Sequence, residues 1–384
     1  MRACISWFGL GLLASCGAKF DKFEQASPLL NQQAALIVSP LDGSGSRLLL
    51  FNLDGSETEC DNARVADELI PSACVLYDLT EVLPGSFTGA SVNGDLVAFS
   101  AFEGDDIEAF VTSLSEPLSS CASGQAPIGG ACNISLNPTG DDLSPAFGFN
   151  PSGVEAVLFQ GVGAQDTDFD GVADALLTDI FASTGVSTNN LTFAARQNLD
   201  LASLPSQPIA DIQNQRQLLS IKNTGGQDLF FLGITGAPSN ACSANDAVLG
   251  ACPLVASAQD ELGAISQPFV NRLYVLRQNN DEAPQLVFTN ADGTSPAECP
   301  APTTAQDGAC VVSAATGLPT FTDDGLFLLF PEVDPAEEGA SRLRLTTLNG
   351  DTPAACLAPF VVSGGSCVFD VVGASLSTPG FIPL

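Results

Sequence analysis

Residues 320–333 read "TFTDDGLFLLFPEV", and the chain continues through "SRLRLTTLNG" at 341–350, a cysteine loop and "CVFDVVG" at 367–373. Aromatic and β-branched residues bounded by Asp-Gly and Asn-Gly pairs predict short strands joined by tight turns. The unit therefore reads as four strands. It recurs as "SRLLLFNLDG" with "ACVLYDLT", as "SVNGDLVAFSAFEG" with "IEAFVTSL", and as "FNPSGVEAVLFQGV" with "DALLTDIFAS". No stretch sustains a long helical apolar period, so the fold class is all-β.

Cysteines count the repeats. Setting aside Cys4 and Cys16, ten remain in five close pairs: Cys60 and Cys74, Cys121 and Cys132, Cys242 and Cys252, Cys299 and Cys310, Cys356 and Cys367. Separations of 14, 11, 10, 11 and 11 residues, filled with Gly, Pro, Ser, Asn and Asp, predict one local disulfide per loop. Zinc is the competing reading, although no pair has CxxC spacing. The first members lie 61, 121, 57 and 57 residues apart, so one repeat lacks its cysteines and the chain holds six repeats of about 59 residues.

Six four-stranded units in series predict a six-bladed β-propeller over residues 33–384. The first repeat begins at "QAALIVSP" without an inner strand, and the chain ends on an unpartnered "LSTPGFIPL". The C-terminal strand should therefore complete the first blade and close the ring, removing two exposed edges. A non-closing β-solenoid or two stacked sandwiches is the alternative.

The amino terminus reads as an address. "MRACISWFGLGLLASCGAKF" carries one charge at Arg2 before an apolar run too short to span a bilayer, which predicts a signal peptide over residues 1–15. Leu13-Ala14-Ser15-Cys16 resembles the lipobox of bacterial lipoproteins, which implies acylation of Cys16 and a polar tether over 16–32. Gly17 after the cysteine implies the outer membrane, facing periplasm or cell surface. An ordinary secretory signal is the competing reading.

With 12 Lys and Arg against 44 Asp and Glu, the net charge of −32 argues against nucleic acid and anionic lipid as ligands and favours cations or basic surfaces. Histidine is absent, which removes Ser-His-Asp and Cys-His catalysis and leaves only carboxylates.

The segments "SVNGDLVAFSAFEGDDIEAFVTSL" and "TFTDDGLFLLFPE", with "SPAFGFNPSG" at 144–153, resemble the repeats of TolB-like periplasmic propellers. The resemblance implies a propeller that binds proteins or peptides.

Residues 165–174, "QDTDFDGVAD", place Asp166, Asp168, Asp170 and Asp174 around Gly171. Alternate carboxylates before a glycine bend suit calcium, with the Val172 carbonyl as a further oxygen. The spacing resembles thrombospondin type 3 and integrin-type propeller loops. Position 12 is Leu177 where an EF-hand has Glu, so a helix-flanked hand is excluded. An unliganded acidic turn is the alternative. This repeat is the one without cysteines, and calcium would then replace its missing staple.

The expected function is a monomeric, membrane-anchored binding or scaffold module for an envelope or extracellular protein or peptide, with a basic segment favoured by charge. A propeller hydrolase of glycosidase or lactonase type using paired carboxylates, and a purely structural envelope protein, are the alternatives.

Overall fold

A computed structural model describes residues 33–382 apart from segments joining the strands, among them 80–88, 136–140, 150–154, 166–173, 199–214, 223–227, 235–250, 255–259, 267–271, 279–283, 322–326 and 348–355. For most of 150–271 only the backbone is described. The described residues form strands and no helix, so none of them is in a helix long and apolar enough to cross a membrane.

The strands group into consecutive small sheets, in a propeller arrangement. The first holds β1 (Gln33–Pro40), β2 (Arg47–Asn52) and β3 (Cys74–Asp78). The second holds β4 (Ser91–Asn93), β5 (Leu96–Glu103), β6 (Asp106–Ser113) and β7 (Ala131–Asn133). In the third, β8 (Asp142–Phe149), β9 (Glu155–Gln165) and β10 (Asp174–Thr184) are followed by a small ribbon of β11 (Val186–Ser187) and β12 (Asn190–Leu191), and β13 (Arg196–Asn198) completes the sheet.

Three described strands make the fourth sheet: β14 (Gln215–Lys222), β15 (Asp228–Ile234) and β16 (Ala251–Leu254). The fifth has β17 (Asp260–Ser266), β18 (Arg272–Gln278), β19 (Gln285–Asn290), β20 (Thr304–Gln306) and β21 (Ala309–Val312). The sixth has β22 (Thr320–Phe321), β23 (Phe327–Val333), β24 (Ser341–Thr347), β25 (Val361–Ser363) and β26 (Ser366–Phe369).

Two details depart from a uniform four-stranded unit. In the fifth and sixth sheets the cysteine loop folds back as an extra outer strand, β20 on β21 and β25 on β26. In the fourth, β16 runs parallel to β15.

Strand faces explain the packing. Ala34, Leu36 and Val38 of β1, with Leu49 and Phe51 of β2, pack against Phe327, Leu329, Leu343 and Leu345 of the sixth sheet. The intervening Ala35, Ile37, Leu48 and Leu50 pack against Val97, Phe99 and Phe110 of the second sheet. Alternate side chains point to opposite faces, and a sheet sandwiched between two others must be apolar on both. That is why "ALIV" and "LLLF" read as unbroken runs. The same alternation joins the second sheet to the third through Leu96, Ala98 and Val157, and the fifth to the sixth through Tyr274, Phe288, Leu328 and Phe330.

The terminal strands β27 (Ala374–Leu376) and β28 (Gly380–Ile382) both pair antiparallel with β1, so the first sheet is completed by the end of the chain. Between Val38↔Leu376 and Ala35↔Gly380, two residues of β1 face three of the terminal segment, a bulge at Ser377–Pro379. Pro379 has no N–H to give the ladder. Ser377 keeps the pairing alive: its N–H donates to the Ile37 carbonyl and its hydroxyl accepts the Ile37 N–H, both at 3.0 Å. At Gly380 a Cβ would lie 2.5 Å from the Ala90 carbonyl oxygen, so the close approach of the terminal segment to the entry of the second sheet requires glycine.

Candidate functional site

Three loops meet on one rim where the first and sixth sheets adjoin. They are the β1–β2 turn after Pro40, the β23–β24 loop after Val333 and the β26–β27 turn after Phe369. Chain direction puts all three at the same strand ends. The Leu41 N–H donates to the Gly373 carbonyl at 2.8 Å, and the Gly373 N–H donates to the Glu337 carboxylate at 2.9 Å. A Cβ at Gly339 would lie 3.7 Å from the Leu41 side chain. Buried Asp334 shapes its own loop, accepting the Ala336 N–H at 2.8 Å while its N–H donates to the Ala340 carbonyl at 3.0 Å.

Charge on this rim is unbalanced. Burial, and next the Asp334 carboxylate, push the Asp370 carboxyl above the ordinary aspartate value, with Glu337 adding to the effect and Arg342 opposing it. Arg342 cannot neutralise the cluster freely, because its Nε and Nη2 each contact buried Glu332 at 2.8 Å. Arg344 holds the other oxygen of Glu332 at 3.1 Å and donates from Nε to the Ser366 hydroxyl at 2.8 Å. Removing one partner would strand a buried charge, so these arginines serve the fold. On the β1–β2 turn, the Asp42 carboxyl is held below its ordinary value by hydrogen bonds from Ser44.

The opposite strand ends carry the disulfides. Cys60–Cys74, Cys121–Cys132, Cys299–Cys310 and Cys356–Cys367 are bonded, with Cα–Cα separations of 5.1 to 5.6 Å. In each, the second cysteine is buried in the strand that pairs with β2, β6, β19 or β24, namely β3, β7, β21 and β26. Cys252 lies in β16, the corresponding strand of the fourth sheet, while Cys242 lies outside the described residues, as does that bond. Beside Cys60–Cys74 a cavity of about 370 Å³ opens between the first and second sheets, lined by Gln33, Asn52, Thr58, Arg64 and Ser115 among others. Arg64 donates to the Ser113 carbonyl at 2.6 Å and to that of Leu114, bracing the disulfide loop against the second sheet.

Of the other residues singled out by sequence, Cys16, Asp166, Asp168, Asp170 and Val172 lie outside the described residues. Their flanks do fall where the sequence puts them. Gln165 ends β9 and pairs with Asp174, which begins β10, so the aspartate loop joins the second and third strands of the third sheet. Among the described residues no group of three His, Cys, Asp or Glu side chains is placed to hold a metal. The sequence does not by itself single out Leu41, Asp370 and Val372. No local signal joins residues more than 300 positions apart.

No protein-family model matches the chain, and no curated protein matches it. Among solved structures, a TolB from Acinetobacter baumannii is similar at 11% identity and a TM-score of 0.33, over 92% of this chain and 67% of that one. A protein described as a TolB from Agrobacterium tumefaciens gives 11% and 0.37, over 92% of this chain and 99% of that one. A protein described as a 6-phosphogluconolactonase from Bacteroides fragilis gives 11% and 0.39 over the same shares, 92% and 99%. At these values the likenesses assign no activity to this chain.

Proposed function

We propose that this chain is an envelope lipoprotein whose propeller is a non-catalytic binding or scaffold module for a basic protein or peptide segment. The observation that carries the reading is the acidic rim. Asp42, Asp334, Glu337 and Asp370 belong to loops gathered where the first and last sheets meet, and Arg342, which acts on Asp370, is bound to Glu332. A surface of one sign attracts ligands of the other and excludes nucleic acid and anionic lipid. The ring is six-bladed in this reading, closed by the terminal strands on the first blade. Acylated Cys16 and the tether over 16–32 hold it to the outer membrane.

Fluorescein-labelled hexalysine, titrated into purified protein, tests the binding claim. Saturable binding that weakens with salt supports it, and no binding at low salt contradicts it. Turnover of any member of a glycoside and lactone panel would sink the non-catalytic claim. Palmitate labelling tests the anchor: Cys16→Ala should abolish the label, and equal label in the variant contradicts acylation at that residue.

A calcium ion held by Asp166, Asp168, Asp170, Asp174 and the Val172 carbonyl belongs to the same reading, as a staple for the third blade. Clustered carboxylates without a cation repel one another. Chelation should therefore lower the melting temperature and calcium restore it. Magnesium, with its rigid octahedral shell, should restore less. An unchanged melting curve at millimolar calcium would leave the loop an acidic turn.

A further inference from the structure

The acidic rim has an apolar centre. Val372 is 83% exposed, Val333 47% and Leu41 43%. Single exposed aliphatic residues are common on protein surfaces. Here, however, Leu41 and Val372 are brought together by the fold, since the Leu41 N–H bonds to the carbonyl of Gly373, the neighbour of Val372. The loop carrying Glu337 and Glu338 closes over the same place, through the Glu337 bond to Gly373 and the approach of Gly339 to Leu41. Asp42, next to Leu41 in the chain, and Asp370, two residues before Val372, are both exposed.

From this arrangement, and resting on the acidic-rim reading above, we propose that the seam between the first and sixth sheets is a docking surface for a peptide segment with apolar residues flanked by Lys or Arg. The complementarity is twofold. Aliphatic side chains of the ligand would cover Leu41 and Val372, removing apolar area from water. Flanking cations would face the exposed carboxylates of Asp42, Glu338 and Asp370. A second copy of this chain fits poorly as the occupant, because two chains of net charge −32 repel. The surface is built from both ends of the chain. A ligand seated on it would bridge the first sheet to the last and stabilise the native pairing by mass action.

Two labelled probes separate this inference from the broader reading: hexalysine, and Lys-Lys-Lys-Leu-Phe-Lys-Lys-Lys, which keeps all six positive side chains and adds an apolar centre. The wild type should prefer the second by about tenfold, the worth of one well-covered aliphatic contact. Val372→Ser and Leu41→Ser, both at exposed positions, should each erode that preference and leave hexalysine binding unchanged. Glu338→Lys should weaken both probes. Equal affinity of the two probes for the wild type overturns the docking surface while leaving the acidic rim in place. So does a preference that survives both serine variants. Failure of hexalysine itself to bind removes the acidic rim and the docking surface together.

Discussion

The disulfide loops and the seam between the first and sixth sheets are held by opposite means. On the disulfide side each of the four described bonds closes a loop of 11 to 14 residues, so the first, second, fifth and sixth sheets are each stapled by their own neighbours in sequence. At the seam between the first and sixth sheets β1 is held to the terminal strands without a covalent cross-link among the described residues, by its pairing with β27 and β28 and by the apolar core shared with the sixth sheet. A staple acts largely by restricting the unfolded chain. The seam acts only in the native state, and it must offset the entropy of joining residues about 340 apart. The difference sets local covalent staples at one end of the strands against a non-covalent seam that runs along the whole of β1.

Breaking the seam should have the largest effect. Deleting residues 377–384 removes β28 and the Ser377 bonds to Ile37, leaving the N–H and C=O of Ile37 unpaired at an edge and the entry of the second sheet uncovered. The truncated protein should aggregate or fall to limited proteolysis at temperatures where the full chain is native. A monomer with an unchanged melting curve contradicts the role given to the terminal strands.

Breaking one staple should cost less and stay local. Cys121→Ala with Cys132→Ala opens an 11-residue loop, worth about 3 kcal/mol in the chain-entropy account. The sheet order should survive, because Cys132 also packs in a core with Leu96, Val111 and Phe159 that alanine only partly empties. Denaturant unfolding measures the loss, and non-reducing peptide mapping shows whether the remaining bridges keep their partners.

The smallest effect sharpens the electrostatic half of the comparison. Asp370 has its folded-state value raised, so its protonated form is favoured in the fold. Its contribution is present below the unfolded value of 3.8 and is lost as pH rises through the folded one. Near neutral pH Asp370→Asn should therefore raise the melting temperature slightly, and the gain should vanish below about pH 3.8. Because the group is largely exposed, solvent screens the effect and keeps it small.

What could be read from sequence follows the same division. Pairing of Cys60 with Cys74 is legible because both partners and the turn between them lie in one short window. The strands are legible from Asp-Gly and Asn-Gly punctuation: at the β4–β5 turn Gly94 takes the positive φ of 58° that such a turn needs. The missing inner strand before Gln33 pointed to the chain end, but the break at Ser377–Pro379 did not show, since it depends on register against β1. The fold-back strands β20 and β25 were hidden in segments that read as polar or glycine-rich loop. The meeting of Leu41, Gly339 and Gly373 is a property of the assembled sheets, and no periodicity encodes it.

Hydrogen exchange of the peptide spanning 374–382, followed by mass spectrometry, tests the central claim most directly. If the chain end completes the first sheet, these amides exchange as slowly as those of Leu48–Phe51 in β2, through the same global opening. Exchange within seconds, while β2 stays protected, would contradict it.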